Sequence, residues 1–499
     1  MLNFNMENMT YTKRVVLGYI KTIVSLSCLA MILFNCESRL DVTPLSNLTD
    51  ATYYKTAEDA KAALGACYAS ISNPDVFIDL ATSDDAVPFL TGDANRPLLW
   101  RYDITPDNAF IRFYPAAYTS INRCNIVINR LPAIAMDENL KQRYIAEAKF
   151  LRALAYFNLV RLYGGVPIMT TETDGLEGLE VARASIDEVY QLIESDLLAA
   201  EQVLPLSYDG IDKGRATQGA AQGVLAKVYL TRAGTDRGSP YWQQAAAKAK
   251  EVMDQGVYDL YPTFAQAFSL QARGGIENVF EVQYLTDVRG HSLGRGYGIR
   301  SAPIYPGGGA GIARVAANLF NLYQDNDQRK AVSFITSYSY QGKTVELSVT
   351  DPNPANAVSF QKLWDKTATT NGGEGTSFPI LRFADVLLIY AEASNERDGA
   401  PSVEAYEALN RVRQRAGINA LGGLDYESFR AAVWLERRLE LTFENNRRFD
   451  LIRTGQLLQA IKADTGFGRN AQIQEHHTLL PIPQLDMDVN PLLEQNPGY

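Results

Sequence analysis

Helices rich in small residues recur in pairs along this chain, and that pairing restricts the fold more than any other feature. The stretches "KQRYIAEAKFLRALAYFNLVRLYGG", "TQGAAQGVLAKVYLTRAG" and "FADVLLIYAEASNERDG" each place a tyrosine near the expected helix end, at Tyr163, Tyr229 and Tyr390. An amphipathic helix follows each time: "SIDEVYQLIESDLLAAEQVL", "YWQQAAAKAKEVMDQGVYDL" and "SVEAYEALNRVRQRAG". Ser185 and Glu188 have the spacing of a capping box, and Gly417 closes the last helix. Small side chains let paired helices approach closely. The pattern predicts degenerate tetratricopeptide hairpins, whose regular period is about 34 residues. Leu225, Tyr229, Leu387 and Tyr390 are expected in the core.

The hairpins are decorated. Upstream, "TAEDAKAALGACYASI" puts Ala60, Leu64, Cys67 and Ile71 on one helical face, with Thr56 or Glu58–Asp59 starting it. Residues 73–107 then lose periodicity among prolines and glycines, which predicts a long ordered loop of functional weight. A further helix is expected over "AFIRFYPAAYTSINRCNIVINRL". Residues 259–375 carry glycine clusters and the short strand-like pieces "VFEVQY" and "YSYQGKTVELSV". The class is therefore mostly α: a tetratricopeptide-like scaffold with long irregular loops and minor β structure. Four segments follow: residues 1–35, 36–55, 56–258, and 259–499 with its loop-rich insertion at about 259–375.

The first segment reads as an export leader. Lys13, Arg14 and Lys21 precede an apolar run from Thr22 to Phe34. The run is too short for a lasting membrane helix, which needs about 20 apolar residues. Cys36 follows it directly, with Leu33 at −3 and Asn35 at −1. That placement resembles a bacterial lipoprotein signal, in which the thiol is acylated; an ordinary signal peptide is the plainer alternative. Residues 37–50, polar and proline-containing, read as a tether.

Removing 35 of the 499 residues leaves 464, enough for one large interlocked core or two to three smaller ones. The formal charge is −10, and the leader's three basic residues against Glu7 put the mature chain near −12. An acidic surface argues against nucleic acid as a partner. The 27 tyrosines suit surfaces that bind polar ligands. Cys67 and Cys124 both lie in apolar helical patterns, and a disulfide and two buried thiols are both open.

Tempting chemistry has plainer readings. Glu436, Glu440 and Glu444 form a helical stripe among arginines. The spacing predicts an ion network, Glu440 to Arg437 and Glu444 to Arg447 or Arg448, ahead of paired catalytic carboxylates. Glu475, His476 and His477 read as extended chain with too few ligands for a metal. Asp84, Asp85 and Asp93 offer oxygen ligands but no known calcium loop, so calcium is possible and unsupported, and a solvated or ligand-facing acidic patch is the expectation. "GRGYGIRSAPIYPGGG" lacks the Lys-Ser/Thr of a phosphate loop and reads as a flexible or ligand-lining loop. No nucleophile–base arrangement is visible, and no enzyme or cofactor is expected.

Five stretches, in this order, resemble the SusD/RagB family of Bacteroidetes outer-membrane lipoproteins. They are Cys36 with "RLDVTPLSNLTDATYYKTAEDA", then "AYTSINRCNIVINRLP", then "EAKFLRALAYFNLVRLYGGVPI", then "FPILRFADVLLIYAEA", and the pair "LERRLELTFENNRRFDLIRTG" and "LLPIPQLDMDVNPLLEQNPGY". The resemblance implies a non-catalytic protein held at the outer membrane by lipid on Cys36 and facing the cell exterior. It would capture a glycan, or in some members a peptide, and deliver it to a SusC-like TonB-dependent transporter. A tetratricopeptide adaptor without a small ligand is the rival. By the same resemblance, ligands are expected at residues 84–108 and about 285–375. The candidates are Asp84, Asn95, Arg96, Trp100 and Tyr102 in the first loop, and Tyr297, Tyr305 and Trp364 in the second, flanked by Arg295 and Arg300. Trp100 and Trp364 have an alternative role, pinning their loops to the core.

Overall fold

The structure, a computed structural model, describes residues 54–71, 76–89, 93–111, 113–173, 175 and 178–499. Cys36, the expected leader and most of the tether lie outside them. Residues up to Asp59 and residues Ala60–Tyr499 form two units.

The paired helices form where periodicity placed them. The principal ones are α1 (Ala57–Ser70), α2 (Phe113–Arg130), α3 (Glu138–Tyr163), α4 (Ile186–Glu201), α5 (Gln218–Ala233), α6 (Tyr241–Asp254), α7 (Phe383–Asp398), α8 (Val403–Arg415), α9 (Tyr426–Glu440) and α10 (Arg447–Arg453). Side-chain caps start many of them. Thr217, Ser402 and Asp425 each accept a backbone N–H two or three residues into α5, α8 and α9. Ser185 and Glu188 make the expected reciprocal capping box on α4. Tyr229 and Tyr390 do not mark helix ends, however. α5 continues to Ala233 and α7 to Asp398, each ending against a glycine of positive φ, Gly234 or Gly399.

From α2 to α6 each helix packs on the next, and α7 packs on α6, α8 and α9. The stack therefore resumes at α7 after a departure of more than a hundred residues. What permits this is a neck. β2 (Asn278–Val282) pairs antiparallel with β8 (Phe378–Arg382), closing the insertion where it leaves and where it returns. Inside it, β4 (Phe334–Ile335) pairs with β7 (Ser359–Phe360), and β5 (Ser337–Tyr340) forms a hairpin with β6 (Lys343–Glu346). "VFEVQY" and "YSYQGKTVELSV" are thus strands, as expected. The segment 73–107 holds more regular structure than its composition suggests: helices Val76–Ala81 and Asn95–Arg101, and β1 (Ala86–Pro88), which pairs with β3 (Ala313–Val315) of the insertion. Within "GRGYGIRSAPIYPGGG", Leu293–Tyr297 is a helical turn whose Gly294 and Arg295 N–H groups donate to Glu374. Only glycine fits at 294, since a Cβ there would lie 2.5 Å from the Trp364 backbone.

Cys67 and Cys124 are both buried free thiols. The four expected core residues are all buried, Leu225 and Leu387 completely. Truncating Leu387 removes a branched side chain from the helix on which three others pack. Leu387→Ala is expected to lower unfolding free energy by about 2–5 kcal/mol, measured by urea denaturation; a change within about 0.5 kcal/mol would show that α7 packs otherwise.

Candidate ligand-binding surface

The carboxylates of the first loop are not a solvated acidic patch. Asp84 accepts two hydrogen bonds from Arg447, at 2.8 and 3.0 Å, and pairs with Arg438 at 3.1 Å. Arg438 also donates to Asp85 at 2.8 Å. Burial pushes the Asp84 pKa up, but Arg447 and Arg438 outweigh it and hold the group below its ordinary value. Both carboxylates face guanidinium groups and serve the structure, although for Asp85 burial outweighs Arg438 and Arg447 and raises its pKa. Asp93 instead accepts the backbone N–H groups of Asn95 and Arg96.

This pairing corrects the expected Glu-stripe partners as well. Glu440 binds Arg329, Arg382 and Arg415, not Arg437; Glu444 binds Lys362 and Arg382, not Arg447 or Arg448. Arg437 turns to Asp385 and Asp450, and Arg448 donates to the backbone carbonyls of His477 and Thr478. The stripe is a structural ion network, as expected, but its partners come from distant segments. Glu475–Thr478 is a 3-10 turn rather than extended chain. His477 is buried, and its Nδ1 accepts the Gln474 N–H at 2.8 Å.

The aromatic candidates divide by burial. Trp100 and Tyr102 are 0 % and 1 % exposed, so they offer a ligand no surface in this conformation. Trp100 sits among Val87 and Ala316 beneath the Arg469 guanidinium; Tyr102 donates to the Thr82 carbonyl. Tyr297 is buried edge-on against Phe443, their ring centroids 5.1 Å apart. Tyr305 is buried against Trp364 at 4.5 Å. Trp364 itself is half-buried, with Lys366 5.1 Å above its ring. Asn95 and Arg96 are also half-buried, on the short helix Asn95–Arg101, where Arg96 lies near the rings of Phe77 and Phe110. So Trp364, Asn95 and Arg96 remain accessible. They belong to separate clusters.

A different constellation occupies the junction of the loop with the insertion. The β1–β3 pairing continues into a bond from the Phe89 N–H to the Ile312 carbonyl, 2.8 Å. Beside it lies a cleft of about 240 Å3 lined by Phe89, Gly311, Arg314, Pro352 and Pro354 among others. Arg314 donates to the carbonyls of Asp351 and Pro352 and lies 3.5 Å from the Phe467 ring centre. Arg300 donates to the Ala310 carbonyl and lies 3.9 Å from the Phe89 ring centre. Phe89 and Arg314 line the cleft, and two half-buried rings, Phe89 and Phe467, each carry a guanidinium on one face, Phe467 that of the cleft-lining Arg314. Phe467 holds a left-handed backbone, φ 54°, uncommon for an aromatic residue and a feature that concentrates at binding sites. It packs on the Trp100 cluster, so Trp100 supports this surface from below. Sequence reasoning flagged Arg300 but missed Phe89, Arg314 and Phe467. The available signal was a phenylalanine between two glycines, "GFGR".

The fold is a helical-repeat scaffold that carries an irregular, loop-built face. Two family models cover most of that chain: "SusD family" over residues 344–499, and "Starch-binding associating with outer membrane" over residues 50–230. The SusD-like protein P2 of Formosa agariphila is 29 % identical, the alignment covering 94 % of this chain and 98 % of that one. Among solved structures, a SusD homolog from Bacteroides thetaiotaomicron superposes with a TM-score of 0.80 at 26 % identity, covering 91 % and 99 % of the two chains. A laminarin-binding SusD-like protein superposes at 0.76 with 28 % identity, covering 89 % and 100 %. The chain belongs to the SusD/RagB family.

Two outcomes follow from this geometry. Trp100→Ala is expected to lower unfolding free energy by about 3–5 kcal/mol, read as a fall in denaturation midpoint; unchanged stability would return Trp100 to the ligand-contacting set. Burial, then His476 and Arg448, lower the His477 pKa to about 4. The unfolded chain, with histidine near its ordinary 6.5, binds this proton first as pH falls, so stability due to His477 is lost between those two values. His477→Gln should flatten the acid limb of stability against pH in that window, measured by denaturant titration at several pH values.

Proposed function

We propose that this chain is a non-catalytic, cell-surface glycan-binding lipoprotein. Lipid on Cys36 anchors it to the outer membrane, where it captures an oligo- or polysaccharide and delivers it to a SusC-like TonB-dependent transporter. The observation that carries the reading is the cleft lined by Phe89 and Arg314 on the loop face, with Arg300 over the Phe89 ring and Arg314 over the ring of Phe467. Sugar rings present flat CH faces that stack on aromatic rings, and their hydroxyls need donors such as free guanidinium N–H groups. The likeness to a laminarin-binding SusD-like protein supports the ligand class. The family description "associating with outer membrane" supports the location. No helix among the described residues is long and apolar enough to cross a membrane.

The test is binding of the purified mature chain to laminarin and a panel of unrelated polysaccharides, by affinity electrophoresis and calorimetry. At least one glycan should bind saturably, and Phe467→Ala should weaken it by about 1–3 kcal/mol with little change in melting temperature. Failure of the whole panel with a folded protein, or binding indifferent to Phe467, would count against this site.

A further inference from the structure

A second concavity, of about 300 Å3, opens between α2, the segment after α3 and the C-terminal helix Gln484–Val489. Its walls are apolar: Tyr114, Tyr118 and Ile121 of α2, with Met169 and Leu493 opposite. The two tyrosine rings lie 4.9 Å apart. Most polar groups here are already bonded. Asn125 donates to the carbonyls of Met169 and Thr171 and accepts from Arg152; Tyr118 donates to the Pro167 carbonyl. Among the described residues one carboxylate oxygen here, Asp486 Oδ2, is buried without a hydrogen-bond partner on a half-buried side chain whose pKa burial raises, while the Tyr114 hydroxyl lies beside that of Tyr118. The nearby cation does not serve them. Arg183 donates to the carbonyls of Tyr163, Gly165 and Glu494 and to the Asn496 side chain.

An unpaired carboxylate oxygen withdrawn from water is costly, and a ligand cation placed on it recovers that cost. Tyrosine faces beside it attract the same charge. A neutral sugar would supply no cation and would find few free polar partners on these walls. The occupant must also be larger than the cavity. Val489 and Leu179 of the lining are 74 % and 41 % exposed, and Leu485 and Leu492, beside lining residues in the chain, are 61 % and 49 % exposed, an apolar margin that a small amine inside would leave wet. We propose that this concavity docks a segment of a partner polypeptide in which a lysine is flanked by apolar residues. The lysine ammonium meets Asp486 between the tyrosines, and its neighbours cover the rim. This site is separate from the Phe89–Arg314 cleft, and the proposal stands whether or not that cleft binds glycan.

The probe is the N-acetylated, C-amidated peptide Leu-Phe-Lys-Leu-Ser, with counterparts carrying norleucine or glutamate in place of lysine, titrated calorimetrically into the full mature chain. The lysine peptide is expected to bind saturably, the norleucine peptide about ten-fold more weakly, and the glutamate peptide not at all. Asp486→Asn should erase the preference for lysine over norleucine while melting temperature stays unchanged. Laminarin should not compete. Absence of saturable binding at millimolar lysine peptide, an undiminished lysine preference in Asp486→Asn, or displacement by laminarin would each overturn the proposal. As a check on folding, Val489→Ser should weaken both peptides equally and spare the lysine preference; loss of that preference alone would equally overturn it.

Discussion

Everything on the loop face depends on a charge network sealed inside the protein. Glu440 accepts from Arg382 at 2.8 Å and Arg415 at 2.5 Å, and pairs with Arg329 at 3.3 Å. Arg382 also binds Glu277 and Glu444, Glu444 binds Lys362, and Glu436 binds Arg329 and Arg413. With Asp327 on Arg329, five carboxylates (Glu277, Asp327, Glu436, Glu440, Glu444) meet five cations (Arg329, Lys362, Arg382, Arg413, Arg415). All are buried. Burial alone would raise the Glu440 pKa, but Arg415, Arg382, Arg329 and Lys362 overcome it and keep the carboxylate ionised well below its ordinary range. Such a network adds modest net stability over an apolar core, but removing one member strands its partners. Its value here is registry. Glu277, Arg329 and Lys362 belong to the insertion, while Arg415, Glu436 and Glu440 belong to α8 and α9, so correct pairing exists only when the insertion sits in one place on the scaffold.

A second set of arginines fixes the first loop to the same body. Arg438 and Arg447 hold Asp84 and Asp85, while Arg469 donates to the carbonyls of Ala81, Ser83 and Trp100 and pairs with Asp464. The segment that supplies Arg469 also supplies Phe467. Loop, insertion and C-terminal segment therefore converge on one shelf, with Phe89 and Phe467 on its surface and Trp100 within it. A rigid aromatic shelf loses little conformational entropy when a flat ligand stacks on it. Irregular backbone can do this because its polar groups are bonded to buried arginines and not left to solvent.

Local structure was legible in the residues. Apolar periodicity located the hairpin helices, Ser185 and Glu188 announced a helix start, and β-branched and aromatic runs marked β2 and the β5–β6 hairpin. Helix ends were less so: Tyr229 and Tyr390 looked terminal because small residues surround them, yet α5 and α7 end at the glycines that follow. The site was the least legible. Trp100, Tyr102 and Asp84 stand in a proline- and glycine-rich segment that reads as exposed, but the arginines that bury them lie more than three hundred residues away in sequence. Spacing along a helix likewise suggested Arg437 for Glu440, because only neighbours on the same helix can be paired from spacing alone.

By itself the sequence determined the helical-repeat scaffold, the presence of an inserted loop region and the family, since all three rest on short-range patterns of apolar, small and capping residues. Only the tertiary structure decided which aromatic residues are buried, which carboxylates are matched to which arginines, and that Arg314 lines a cleft with Phe89 while lying over Phe467. The physical reason is range. Periodicity and capping act within a few residues of backbone, whereas desolvation and ion pairing depend on what the folded chain brings alongside, and here those partners come from the opposite end of the protein.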